Sequence, residues 1–300
     1  MMLKNLSRYI DPERIRQQVP LKDYTTFRVG GPAAMMINVN TSKELSEVIS
    51  YLKKCQADYF ILGNGSNLLV SDKGYDGIVI KLSGELTDIS ANGDVITAGA
   101  GALLSNVCKK ALEESLTGLE FAFGIPGTVG GAIVMNAGAY DGETGDVVDG
   151  VEAVNADGEI LYVSPHSLRF GYRKSDVKKA GLTVVKVDFR LKKGNYNDIR
   201  LKMKELLESR IEKQPLEFPS AGSTFKRPEG TFAGKLISEA GLSGYRIGGA
   251  CVSEKHNGFI VNDRQATAKD ISDLIEYVKK SVYEHSSVKL EPEVIRLGKF

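Results

Sequence analysis

No run of this 300-residue sequence stays apolar long enough to cross a membrane. Its opening, MMLKNLSRYIDPERIRQQ, is charged throughout and lacks the apolar core of a secretory leader. Both absences point to the cytoplasm. Cysteine is scarce: Cys55, Cys108 and Cys251 are an odd, widely spaced set with no C-x-x-C, which reads as buried, reduced thiols in a reducing compartment. With only three histidines, no metal-ligand cluster can be assembled by spacing, so no metal is expected. An excess of either charge is missing too. Thirty-nine basic and 38 acidic residues leave +1, without the basic stripe that phosphate contacts require, and nucleic acid is not an expected partner.

What is present is ordinary globular usage, 42% hydrophobic and 26% charged, with 32 glycines that point to loops approaching a ligand closely. Residues 1–26 read as a helical lead-in and a short extended stretch. Residues 33–39 read as a strand. Thr41 with Glu44 signals a helix to about residue 55, with Leu45, Val48, Ile49 and Leu52 at helical spacing. Short strands follow at 59–62, 68–70, 78–82 and 95–98, then a helix over 102–114 and a glycine-dense stretch over 118–142. Residues 151–154 and 160–163, joined through Asp157-Gly158, predict a hairpin, and 183–191 another strand. Residues 195–213 suit a connecting helix, and 215–230 a loop. Beyond lie a helix (232–240), a strand (258–261), an amphipathic helix capped by Thr267 with Asp270, and a final strand over 288–297. The class is α+β, with the main boundary near Gly194.

Familiar nucleotide signatures fail. Gly63-x-Gly65 and Gly99-x-Gly101 are followed at the third position by Leu68 and Leu104, so neither is a dinucleotide fingerprint. The stretch 230–235 is one residue short of a phosphate-binding P-loop and ends in Leu236. Two other clusters stand out. GNGSN at 63–67 follows a predicted strand and offers consecutive backbone N–H groups, with Asn64, Ser66 and Asn67 adding side-chain donors. GIPGTVGGAI at 124–133 keeps the backbone open at Gly127, Gly130 and Gly131. A tight turn accounts for either cluster alone; two in one domain point to a large nucleotide cofactor.

The segments TTFRVGGPA (25–33), ILGNGSNLLV (61–70), GLEFAFGIPGTVGGAIVMNAGAY (118–140) and FGYRKS (170–175) resemble the UDP-N-acetylenolpyruvoylglucosamine reductase family. PSAGSTFKRP (219–228), AGKLISEAGL (233–242), YRIGGACVSEKHNGFIVN (245–262) and VKLEPEVIRLG (288–298) continue the resemblance in order over nearly the whole chain. The short path from FGYRKS to the C-terminal part is similar to the compact type that lacks an extra insertion. The resemblance implies an FAD-binding domain of the vanillyl-alcohol-oxidase/PCMH type over 1–194, itself two α+β subdomains. It further implies a smaller α+β substrate-binding domain over 195–300, whose last strand (about 288–298) returns to the active-site cleft. Gly63, Asn64, Gly65, Ser66 and Asn67, together with Pro126, Gly127, Thr128, Gly130 and Gly131, are then expected to hold FAD. No covalent attachment is expected: no histidine precedes His166, and Cys55 and Cys108 fall on predicted helices.

The implied reaction is reduction of the enolpyruvyl ether of UDP-N-acetylglucosamine to UDP-N-acetylmuramate, a step of peptidoglycan precursor synthesis, with NADPH as co-substrate. Hydride addition leaves negative charge beside the substrate carboxylate, so the site needs a cationic clamp and an acid. Three positions match the family's catalytic residues: Arg173 as clamp, Ser223 as proton donor and Glu293 as a second electrophilic or proton-sharing group. By spacing alone Arg173 reads as a surface arginine beside Lys174, and Ser223 as a turn residue. Periodicity does not choose between Glu291 and Glu293, two apart on one predicted strand; only the resemblance selects Glu293. Lys235, Tyr245 and Arg246 are candidates for the UDP-sugar, followed by Lys226, Lys255, His256 and Asn257. An oxidase of the same FAD fold, or a binding protein without turnover, would need neither AGSTFK nor LEPEV.

Overall fold

A computed structural model of the chain describes residues 6–300. The first five residues of the predicted lead-in lie outside the described ones. In its remainder Leu6 is helical and is followed by a turn over residues 7–9, then come a 3-10 turn, Pro12–Arg14, the strand Ile15–Pro20 and a second 3-10 turn, Leu21–Tyr24.

The chain folds as two compact units, each assembled from three stretches of sequence. The first takes the residues up to Gln17, then Met35–Asn64 and Gly77–Ser209. Here the helix Ser42–Lys54 buries Leu45, Val48, Ile49 and Leu52 on one face, against Ile37, Val39, Ile78 and Ile80. Removing such side chains from water stabilises the fold by roughly 1.5–3 kcal/mol each. Tyr59–Leu62 pairs in parallel with Tyr75–Leu82, placing Leu62 beside Lys81. A five-stranded antiparallel sheet runs in the order Ile160–Val163, Val148–Val154, Thr183–Arg190, Val95–Gly99, Ile89–Asn92. The hairpin expected at Asp157-Gly158 is its first pair, with Val151 opposite Val163 and Val154 opposite Ile160. Against this sheet lie the helices Leu104–Glu113 and Val129–Met135, whose Val107, Cys108 and Ile133 join Ile96, Val187 and Phe189 in one core. Burial pushes the Cys108 thiol up to about 12, and Cys251 is buried as well, but Cys55, just past the end of the helix Ser42–Lys54, is exposed, against the expectation of a buried thiol.

The second unit takes Gln18–Ala34, Gly65–Asp76 and Arg210–Phe300. Its sheet runs Ser220–Ser223, Phe259–Asn262, Ala250–Val252, Arg246–Ile247, antiparallel throughout. The helix Ala268–Ser286 buries Ile271, Leu274, Ile275, Val278 and Val282. Thr267 and Asp270 form the expected reciprocal cap. The Asp72 carboxylate takes the N–H groups of Ala268 and Lys269 at 2.8 and 2.9 Å as well.

This division differs from a single boundary near Gly194. Phe27, Val29 and Leu69, distant in sequence, share the core of the C-terminal stretch. Leu68–Val70 pairs in parallel with Ile295–Leu297. Of the predicted strand 288–297 only those last three residues form a strand, and Pro292 makes an isolated antiparallel bridge with Phe225. Ser220–Ser223, expected as loop, is a strand.

Candidate active site

In the first unit Gly63 and Asn64, which open one glycine cluster, meet the other cluster about sixty residues on. Asn64 Nδ2 donates to Pro126 O at 2.8 Å. A Cβ built on Gly63 would lie 2.6 Å from Thr128 Oγ1, so only glycine lets the two turns approach this closely. Lys81, across from Leu62, sends its ammonium to Gly63 O at 2.9 Å, and burial lowers its pKa. Thr128 is almost fully buried and caps the helix Val129–Met135, its hydroxyl accepting from Gly131 N. The first N–H groups of that helix are already used: Val129 donates to Ala102 O and Gly130 to Ala100 O. Among the described residues, the N–H groups of Asn64, Gly127 and Thr128 meet no acceptor.

An unfilled row of donors of this kind is what a pyrophosphate requires. At Gly127 an added Cβ would make only ordinary contacts, with Ile125 Cγ2 at 3.8 Å and Leu104 Cδ1 at 3.9 Å, so packing does not require glycine there. Gly130 is different: its Cβ would press on Ala100 Cβ at 3.1 Å, and glycine there serves packing. These residues fit an FAD diphosphate held by backbone donors.

Arg173 also belongs to the first unit. It sits in a two-residue turn closed by Gly171 and Lys174, which exchange both backbone hydrogen bonds at 3.0 Å. Its φ is +55°, a conformation arginine rarely adopts, and its guanidinium donates to Gly138 O at 2.9 Å. The turn is anchored by a residue the sequence did not single out. Asn136, fully buried and itself left-handed, donates to Gly171 O at 3.1 Å and accepts from Gly145 N at 2.8 Å. Its signal was its place just after a glycine-bearing apolar stretch, where asparagine ends helices.

In the second unit Ser223 and Glu293 meet through one residue. A bulge at Gly222, φ +76°, breaks the alternation of the strand Ser220–Ser223. Ala221 and Thr224 therefore point inward while Ser223 is exposed. Thr224 O then accepts from Glu293 N at 2.8 Å, and its hydroxyl accepts from Ile260 N at 3.0 Å. Glu291 and Glu293 part ways here. The Glu291 carboxylate is ion-paired with Lys226. Glu293 is held at its backbone, whose carbonyl also accepts from Asn67 Nδ2 at 3.1 Å. Asn67 thus turns its side chain toward Glu293 O.

Sequence comparison fits this arrangement. Residues 32–164 match the FAD binding domain family, and residues 214–297 match UDP-N-acetylenolpyruvoylglucosamine reductase, C-terminal domain. A UDP-N-acetylenolpyruvoylglucosamine reductase of Alkaliphilus oremlandii is 50% identical over 98% of this chain and 97% of its own. One from Caldanaerobacter subterraneus is 48% identical over 99% and 98%. The crystal structure of UDP-N-acetylenolpyruvylglucosamine reductase from Thermus caldophilus superposes with a TM-score of 0.84, at 41% identity, covering 95% of this chain and all of that one.

The chain belongs to the UDP-N-acetylenolpyruvoylglucosamine reductase family. It is an FAD-binding oxidoreductase with that reductase activity, at a length that matches the compact type. Among the described residues no helix is long and apolar enough to cross a membrane.

Within this reductase the remaining candidates differ in how available they are. Lys235 faces solvent, 3.8 Å from Glu239 one helical turn on. Tyr245 stacks on Tyr277 with ring centres 4.5 Å apart, leaving one face open. The Arg246 fork is engaged by Asp263 at 2.7 Å. That hydrogen bond raises the arginine's pKa and holds the carboxyl below its ordinary range. Lys255 donates to Ile211 O, and Asn257 Oδ1 accepts from Ser243. His256 packs edge-on to Phe259, its Nδ1 accepts from Gly258 N, and burial lowers its pKa.

Proposed function

We propose that this reductase draws its electrons from NADPH in the cytoplasm, and that FAD is held without a covalent bond by the backbone N–H groups of residues 63–67 and the loop Pro126, Gly127, Thr128, Gly130, Gly131. Bound FAD supplies a two-electron relay from the nicotinamide to the enolpyruvyl double bond. The chain's own residues manage the charge and the proton. When hydride adds to the methylene carbon, an electron pair develops on the carbon that bears the ether oxygen and the carboxylate. Arg173, pre-oriented in its tight turn, clamps that carboxylate and stabilises the developing charge. Ser223 Oγ gives its proton to the carbon, and Glu293 shares the proton or polarises the carboxylate. Lys235, Tyr245 and Arg246 contact the UDP-sugar, with Arg246 exchanging Asp263 for phosphate.

The single observation that carries this reading is the link Glu293 N to Thr224 O, which draws an exposed serine and a glutamate to one place. Stopped-flow absorbance tests it. Ser223→Ala should leave flavin reduction by NADPH nearly unchanged and slow re-oxidation by the enolpyruvyl substrate by about 10²–10⁴-fold. A variant slow in the NADPH step and normal in the substrate step would assign the serine to the nicotinamide and sink the mechanism.

A further inference from the structure

We infer that Asn67 is a positioning residue for Glu293 and that its side chain is not a cofactor ligand, an inference that rests on the catalytic role proposed for Glu293. Asn67 stands at the end of the loop whose backbone donors suit the FAD diphosphate, and its side chain looks like one more donor in that set. Its amide is committed elsewhere. Nδ2 donates to Glu293 O at 3.1 Å, and the Asn67 backbone carbonyl accepts from Ile295 N at 3.0 Å.

The geometry explains why such a residue is needed. The parallel ladder of Leu68–Val70 with Ile295–Leu297 starts at Leu68 opposite Ile295. On the other side, the segment around Pro292 is fastened to residues 224–226 by two bonds, Glu293 N to Thr224 O at 2.8 Å and Lys226 N to Glu291 O at 2.9 Å. Glu293 lies in the gap between these two attachments, outside any strand, and its carbonyl faces a position where the ladder supplies no backbone donor. The Asn67 side chain supplies one. Glu293 is thereby gripped at its N–H by Thr224 and at its C=O by Asn67, which fixes where its carboxylate can go. A misplacement near 1 Å of a catalytic group can cost on the order of 10²-fold in rate.

Asn67→Asp tests this, because it keeps the shape and turns the donor into an acceptor facing the Glu293 carbonyl. With the holoenzyme, re-oxidation by the enolpyruvyl substrate should slow by about 10–100-fold. FAD content and flavin reduction by NADPH should stay within about twofold of the parent, and the loss should fall on kcat more than KM. Asn67→Ala, which removes the donor without adding charge, runs in parallel so that misfolding of one variant leaves the measurement intact. Introduced into a Glu293→Gln background, either change should cost less than about threefold, since the group it positions is already disabled. Loss of FAD in step with activity would make Asn67 a cofactor ligand and overturn the inference, as would a full, additive loss in the double variant. If Glu293→Gln alone left re-oxidation unchanged, the role of Glu293 itself would fall, a result distinct from uncoupled losses at the two positions.

Discussion

The loop at residues 63–67 and the loop at residues 124–131 look alike in sequence, yet they use glycine for opposite reasons. Gly65 is forced by the chain itself: its φ is +62°, and a Cβ would lie 2.1 Å from Tyr24 O. Gly127 has an ordinary φ, and its Cβ would meet only ordinary contacts, at 3.8 and 3.9 Å. The first glycine is a requirement of folding; the second is not. A glycine-rich string in a sequence does not distinguish the two.

Substitution separates them. Gly65→Val should have the largest effect, because a side chain there meets backbone and adds left-handed strain of about 1–2 kcal/mol before any clash. The expected result is little soluble protein, with the loss of native signal seen by circular dichroism even before FAD is considered. Gly127→Val should fold, since nothing in the chain obstructs it, but emerge colourless. Its melting temperature should match that of the stripped parent and no longer rise when FAD is added. Full FAD occupancy in a well-folded Gly127→Val would move the cofactor away from this loop. Gly130→Ala sharpens the contrast from the packing side. Its methyl would press on Ala100 Cβ at 3.1 Å in a helix that alanine otherwise favours by about 1 kcal/mol, so stability should shift by no more than that while FAD is retained.

The smallest effect concerns pH. Arg14 grips Glu44 at 2.6 and 2.8 Å, and that hydrogen bond lowers the carboxyl's pKa. A carboxylate with a depressed folded pKa adds stability above its unfolded pKa, about 4.3, and loses it as pH falls through the folded value. Glu44→Gln should therefore melt earlier than the parent at neutral pH, and the gap should close below about pH 4. A gap independent of pH would mean that the pair contributes by packing alone.

Where the sequence was legible, the reason was local. The helix Ser42–Lys54 and the helix Ala268–Ser286 carry their caps and their apolar stripes within one stretch. The hairpin around Asp157-Gly158 needs only its own turn chemistry. The helix Val129–Met135 was hidden, because Gly130 and Gly131 lower its local propensity and its first turn is fastened to Ala100 and Ala102. The strand Ser220–Ser223 was hidden in a loop-like composition, since its partner Phe259–Asn262 lies far along the chain.

The sequence by itself determined the chemistry available: motifs for a cofactor loop, an arginine, a serine and two glutamates two residues apart. It also carried the family resemblance that ranked them. Tertiary structure decided what each of these does in space. It paired Glu291 with Lys226 and left Glu293 to Thr224 and Asn67. It turned Ser223 outward through the bulge at Gly222 and folded residues 18–34 and 65–76 with the C-terminal stretch. Local spacing encodes which face a residue occupies on its own element. Which distant backbone group accepts its hydrogen bond depends on how elements pack, and that is encoded only in the burial of side chains such as Phe27 and Leu69.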